Sequence, residues 1–232
     1  MEERYHYLYA AAAVRGNLTR LGKASMLAPE LYKKNLYELS RNECERILEV
    51  GLACGVKLYH FKKSDRTLPR VNKVIGFLKS IYFESLLDVG SGRGVFLLPF
   101  LDEFAAPTVT AVDILEKRIE LMSDIRCGGV ERLSVVRADI CTSPFAENSF
   151  DVVTMLEVLE HIPDVRSAVR AAVRAARKYV VVTVPSKEDS NPEHIHLLTK
   201  DKLTALFTEA GAARLRFEGV PGHLFMIASV GE

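Results

Sequence analysis

The sequence predicts an α/β fold: a doubly wound, seven-stranded, mostly parallel sheet with an antiparallel C-terminal hairpin and an N-terminal helical extension. From residue 70 onward, short apolar runs alternate with stretches of helical period, the pattern of parallel strands joined by crossover helices. A three-glycine turn, Gly90-Ser91-Gly92-Arg93-Gly94, directly follows the apolar run Leu86-Leu87-Asp88-Val89. The last two strand-like runs, 214–219 and 224–230, are separated only by Val220-Pro221-Gly222-His223, a link short enough to force antiparallel pairing.

The 232 residues accommodate one full α/β domain and a modest extension, and a 48% hydrophobic content supplies a large core. No apolar stretch reaches the roughly 18–20 residues that cross a bilayer, and the N-terminus lacks a basic start followed by an apolar core and cleavage site. A cytoplasmic protein is expected, and membrane partnership is not. Cys44, Cys54, Cys127 and Cys141 form no C-x-x-C pair, which removes the usual zinc-knuckle and dithiol patterns and leaves them as expected buried thiols. The net charge of +1 hides an asymmetry. Residues 1–80 carry 15 basic and 8 acidic side chains, a net +7, whereas 81–232 carry 16 and 22, a net −6. Attraction between the two parts is the expected use of these charges; contact of the basic part with an anionic substrate is the alternative.

Taken in order, residues 1–69 read as a helical extension or lid and 70–232 as the main domain. Apolar residues at three- and four-residue intervals predict two or three helices up to about Leu58, punctuated at Gly16, Pro29 and Gly55, with a capping box at Asn42 and Glu45. Tyr59–Arg66 mixes aromatic and charged residues and is a candidate lid. A helix over Arg70–Ser80 precedes the first strand, Leu86–Val89. Strands over 108–113, 133–140, 150–156 and 179–184 then alternate with helices over 115–123, 165–177 and 199–210.

The glycine turn is the first candidate site. Side chains there would block close approach of a ligand or demand positive φ, and a helix expected to start near Arg93 would turn its free N–H groups toward the loop. Asp113, at the tip of the second strand, can accept two hydrogen bonds from a ribose diol. The spacing is G-x-G-x-G, not the G-x-G-x-x-G of a dinucleotide fold, and Asp88 stands two residues before the first glycine.

In this combination the chain resembles the class I, seven-stranded, Rossmann-like S-adenosylmethionine-dependent methyltransferases, over about residues 70–230. The resemblance is greatest to the small-molecule enzymes of the ubiquinone-biosynthesis type. It implies S-adenosyl-L-methionine as cofactor, bound by Asp88, Gly90, Ser91, Gly92, Gly94, Asp113, Ile114, Asp139, Ile140, Leu156 and Glu157, with Asp139 and Ile140 toward adenine. It also implies transfer of a methyl group to an O or N acceptor, on a small molecule. The acceptor itself and the oligomeric state are not legible in the sequence.

A second constellation, Glu157-Val158-Leu159-Glu160-His161, follows the fourth strand, where open α/β sheets place ligands. His161 is the candidate general base, because a neutral imidazole accepts a proton near neutral pH. The same residues, with His194 or His196, also resemble the metal-holding set of small-RNA 3′-terminal 2′-O-methyltransferases. That resemblance implies a divalent cation and an RNA partner. The Phe-Glu-Trp-Thr run of that family is replaced by Leu197-Leu198-Thr199, so the expectation is a site without metal. A non-catalytic, methyltransferase-like binding subunit is the third reading, opposed by the intact glycine loop and acids.

Overall fold

The computed structural model describes residues 4–58, 67–142, 145–188 and 190–231. The expected lid, Tyr59–Arg66, lies outside the described residues. Helix α1 (Arg4–Arg20), the short α2 (Pro29–Lys33) and α3 (Arg41–Ala53) precede α4 (Pro69–Leu78). Alternation then begins: β1 (Ser85–Val89), α5 (Leu97–Glu103), β2 (Thr108–Asp113), α6 (Glu116–Cys127), β3 (Leu133–Arg137) and β4 (Phe150–Leu156). It continues through α7 (Val165–Ala175), β5 (Ala176–Pro185), α8 (Lys200–Glu209), β6 (Arg214–Val220) and β7 (His223–Ser229).

The seven strands form one sheet in the order β3-β2-β1-β4-β5-β7-β6, with β7 antiparallel to both neighbours and the other pairs parallel. This is the predicted architecture. Strand order reverses between β1 and β4, and their carboxyl ends therefore flank a crevice.

Period-two alternation sends neighbouring residues to opposite faces. Leu86, Val152, Val181 and Ile227 join one core with α1 and α3–α6, while Leu87, Val153, Val182 and Met226 join another with α7 and α8. The strands are apolar on both sides because helices cover both sides.

Helix α1 is the principal departure from the expected extension. Gly16 does not end a helix; it lies inside one that is buried along most of its length between α3 and α6. The alanine-rich sequence permits this, since small side chains let backbones approach closely. A Cβ on Gly16 would stand 1.9 Å from the Asp124 carbonyl oxygen, and one on Gly128 would stand 1.9 Å from that of Ala12. Around this crossing Asp124 accepts from Arg20 Nε at 2.9 Å and from Asn17 Nδ2 at 3.0 Å. The charge asymmetry is used similarly elsewhere, with Lys73 paired to Glu218 and Lys79 to Glu103.

Several local expectations shift. The capping box joins Ser40 to Glu43, two residues before the expected pair, because Ser40 holds the extended N-cap conformation. Helix α5 starts at Leu97, not near Arg93, since 90–96 form an irregular loop with three positive-φ glycines. Strand β3 stops at Arg137, leaving Asp139 and Ile140 beyond it. Only Cys44 is a buried thiol; Cys54 and Cys141 are half-buried and Cys127 is exposed.

The helix crossing generates a paired prediction. Gly16→Ala should destabilise the protein by about 1–3 kcal/mol through overpacking. Gly76→Ala, in α4 with nothing within 4 Å of its added Cβ, should stabilise it by about 0.5–1 kcal/mol through helix propensity. Urea unfolding of both variants checks the signs.

Candidate active site

At the crevice lies a cavity of about 250 Å3 bounded by the glycine loop, the carboxyl end of β4 and the start of α4. Asp88 enters it from β1 and pairs in register with Thr154 of β4. Asp88 is 2% exposed, and its Oδ1 lies 2.8 Å from Thr154 Oγ1. Oδ2 is buried with no hydrogen-bond partner. Burial, with a smaller push from the nearby Asp113, raises the carboxyl to about 7 against the lowering effect of the Ser91 and Thr154 hydroxyls.

The glycine loop is held from below. Asp113 Oδ2 accepts from Gly92 N–H at 3.0 Å and Oδ1 from Leu115 N–H at 2.9 Å, so one carboxylate fixes the loop to the tip of β2. Gly90 has φ 67°, and a Cβ there would come within 2.5 Å of Val158 Cγ2. Gly92 has φ 57° with no such obstruction and lines the cavity.

Glu157, just past β4, adopts φ 59°, an uncommon left-handed conformation for a residue with a side chain. Its Oε1 accepts from Thr183 Oγ1 at 2.9 Å, while Oε2 lies 2.9 Å from His223 Nε2 and 3.7 Å from Arg70 Nε. These contacts from β5, β7 and α4 hold the carboxylate at the cavity wall.

Of the expected cofactor residues, Asp88, Gly90, Ser91, Gly92, Leu156 and Glu157 line the cavity. Gly94 faces Leu98 instead, and Asp113 lies beneath the loop. Ile114 is exposed, Ile140 is buried in the core shared with α7, and Asp139 is exposed with Oδ1 accepting from Cys141 N–H. The sequence reading missed Arg70, Arg93, Arg118 and Glu193, which also line the cavity. Arg118 carries a buried Nη1 with no hydrogen-bond partner. One signal was available: a basic pair, Lys117-Arg118, in the first turn of α6, where the helix dipole disfavours cations.

Beside the cavity, the helical turn Leu159–His161 meets the loop around His194, anchored by Ile195 N–H donating to the Glu160 carbonyl at 2.9 Å. Ligand atoms of buried Glu160, His161 and His194 lie within 4.8 Å of one another. His161 Nδ1 is 2.9 Å from the Glu193 carbonyl oxygen. Glu157 belongs to the separate contacts just described, and His196 Nε2 faces the Ile162 carbonyl at 3.1 Å. The two alternatives for the fourth metal-ligating position therefore part company: His194 joins the cluster and His196 does not.

Residues 87–182 match the methyltransferase domain family. The matched segment runs from β1 to β5, and in sheet topology the chain is similar to the class I, Rossmann-like S-adenosylmethionine-dependent methyltransferases. It is 27% identical over 168 residues to the 27-O-demethylrifamycin SV methyltransferase of Amycolatopsis mediterranei, covering 67% of this chain and 61% of that protein. It is 36% identical over 104 residues to the ubiquinone biosynthesis O-methyltransferase of Bordetella parapertussis, covering 42% and 40% respectively. The chain thus spans less than two thirds of the length of either relative. A solved SAM-dependent methyltransferase from Aquifex aeolicus shares the fold with a TM-score of 0.59 at 21% identity, over 74% of this chain and 95% of that one.

The Asp88 environment gives a signed pH prediction. Its folded pKa of about 7 lies above the ordinary aspartate value of 3.8, so between these values the folded state holds more protons than the unfolded chain and loses stability as pH rises. Asp88→Asn should therefore be more stable than the parent at pH 8, by a margin that shrinks toward pH 4. Urea titrations across that range test the trend; a margin that grows on acidification would refute the assigned environment.

Proposed function

We propose that the chain is an S-adenosylmethionine-dependent methyltransferase acting in the cytoplasm on an O or N acceptor of a small molecule. The observation carrying this reading is the charge arrangement of the cavity. A buried carboxylate, Asp88, and the cations Arg70 and Arg118 face one space, and Asp88 Oδ2 and Arg118 Nη1 have unmet hydrogen-bonding capacity. A ligand bearing both an ammonium and a carboxylate, as the methionine end of the cofactor does, satisfies both. Names of the relatives support the same chemistry: two are O-methyltransferases or act at an O-demethylated substrate by name, and the family match over residues 87–182 covers the glycine loop and acids. No described helix is long and apolar enough to cross a membrane.

In this reading the glycine loop lets the ligand approach backbone, and the free lone pairs of Asp113 receive the ribose hydroxyls. Ile114, Asp139 and Ile140, around the ends of β2 and β3, are assigned to the adenine end. When bound, the cofactor supplies a sulfonium methyl for in-line attack by the acceptor. The chain's own contribution is to align the acceptor and exclude water. His161 is suited to remove the acceptor's proton: if Nδ1–H donates to the Glu193 carbonyl, Nε2 retains its lone pair.

The Glu160–His161–His194 cluster favours a second reading, in which a divalent cation held by one carboxylate and two imidazoles orients the acceptor. Calorimetry and turnover distinguish the two. Asp113→Ala should weaken cofactor binding by roughly 1.5–3 kcal/mol, the scale of a lost charge-assisted hydrogen bond; unchanged affinity would remove Asp113 from the site. With an acceptor in hand, His161→Ala should slow turnover by about 10²–10⁴-fold while chelator leaves the parent enzyme active. Chelator-sensitive turnover, restored by added metal and lost in His194→Ala, would transfer the assignment to the cation.

A further inference from the structure

A second cavity, of about 500 Å3, opens between the N-terminal layer and the carboxyl end of α6. Its volume is within the range of about 300–1,000 Å3 typical of small-molecule sites. Arg15, Lys33, Lys34 and Arg132 line it against a single carboxylate, Glu131. Arg132 immediately precedes β3, so this cavity sits at the amino edge of the sheet, whereas the glycine-loop cavity sits at the carboxyl edge.

Two guanidiniums in this cavity are anchored by neutral groups. Arg15, only 4% exposed on α1, donates to the backbone carbonyls of Lys34 at 3.0 Å and Leu31, and its buried Nε has no hydrogen-bond partner. Arg132 donates to the carbonyls of Pro107 at 3.1 Å and Leu101. Carbonyls fix the position of a guanidinium without cancelling its charge, and burying a cation that way is costly. Glu43, the carboxylate acting on Arg15 from α3, is already bonded to Lys34 at 2.9 Å. Burial accordingly lowers the Arg15 pKa from its usual value. The result is two guanidiniums lining one cavity, each held in place by neutral carbonyls that leave its charge uncancelled and each keeping further N–H groups beyond those already bonded, a charge that suits an oxyanion.

We propose that this cavity binds a small phosphorylated ligand, with phosphate oxygens facing Arg15 and Arg132 and the lysines completing the charge. The enclosure between α1, the 29–38 turns and the 127–132 segment suits a compact ligand better than a nucleic-acid strand, whose backbone needs a continuous track along the surface.

Titration of pyrophosphate into the full chain at low salt, followed by calorimetry, tests the site. One saturable equivalent should bind to the parent. Arg132→Gln should weaken it by at least about tenfold, the scale of one lost charge-assisted contact, and the exposed Lys33→Ala should weaken it in the same direction. Melting of the ligand-free variants at the parent temperature establishes that they are folded. Absence of saturable binding at millimolar pyrophosphate, or parent affinity in both variants, overturns the proposal. So does competition by S-adenosylhomocysteine, which would move the phosphate to the arginines of the glycine-loop cavity. Tighter binding of single-stranded RNA, rising with oligonucleotide length and still dependent on Arg132, would replace the small ligand with a strand.

Discussion

The carboxylate of Asp88, buried at the carboxyl end of the central strand, is the constraint around which this site is arranged. Its backbone belongs to β1, its Oδ1 meets Thr154 on β4, and the glycine loop begins two residues later. Burial without full compensation raises its pKa and makes the ionised form unfavourable. A core position selected for stability alone would carry an apolar residue here. An acid fits a site that receives a cation, because an ammonium beside it offsets the desolvation penalty of the buried carboxylate. Stability and ligand binding thus pull in opposite directions at one residue.

The surrounding structure keeps that carboxylate and its neighbours in place. Asp113 ties the glycine loop to β2 through two backbone N–H groups, so the loop has a defined shape although its helix begins only at Leu97. Behind it, α6 is held by the close crossing with α1. The N-terminal layer consequently contributes to the main hydrophobic core, and its excess positive charge is partly taken up by Arg20–Asp124, Arg70–Glu157 and Lys73–Glu218. Lateral packing and charge pairing act together here: apolar burial supplies the contact area, and the ion pairs lie at its margins.

Legibility in the sequence followed the range of the interactions. The seven strands were readable because each has a short apolar run, and the hairpin because four residues separate its partners. Asp88 was readable as a cavity residue because it stands two residues before the first glycine, whereas Asp113 was readable only as the acid at the tip of the second strand, and the structure puts it beneath the loop. Arg118 and Glu193 were not, since the cavity that unites them is made by α6 and a loop distant from β1 in the chain. The capping box slipped by two residues because several polar side chains near Ser40 could start a helix, and only the backbone conformation selects one. Gly16 misled for a related reason: glycine signals a helix end when considered locally, but here it accommodates the α6 backbone at 1.9 Å from its absent Cβ.

Glu157 connects the readable part of the site to the part that remained hidden. Its positive φ turns the chain sharply after β4, and contacts with Thr183 and His223 hold that conformation in place of the β-region backbone a glutamate prefers. The next turn carries Glu160 and His161 toward the loop of Glu193 and His194. Glu193 both lines the glycine-loop cavity and offers its carbonyl to His161, so the imidazole and the cavity share a wall. A motif can specify the cofactor side because the same ligand requires the same local backbone. The neighbouring side is built where two loops meet, with Ile195 N–H bonded to the Glu160 carbonyl and His196 facing the Ile162 carbonyl, so side chains far apart in the chain define it and no local spacing rule discloses them.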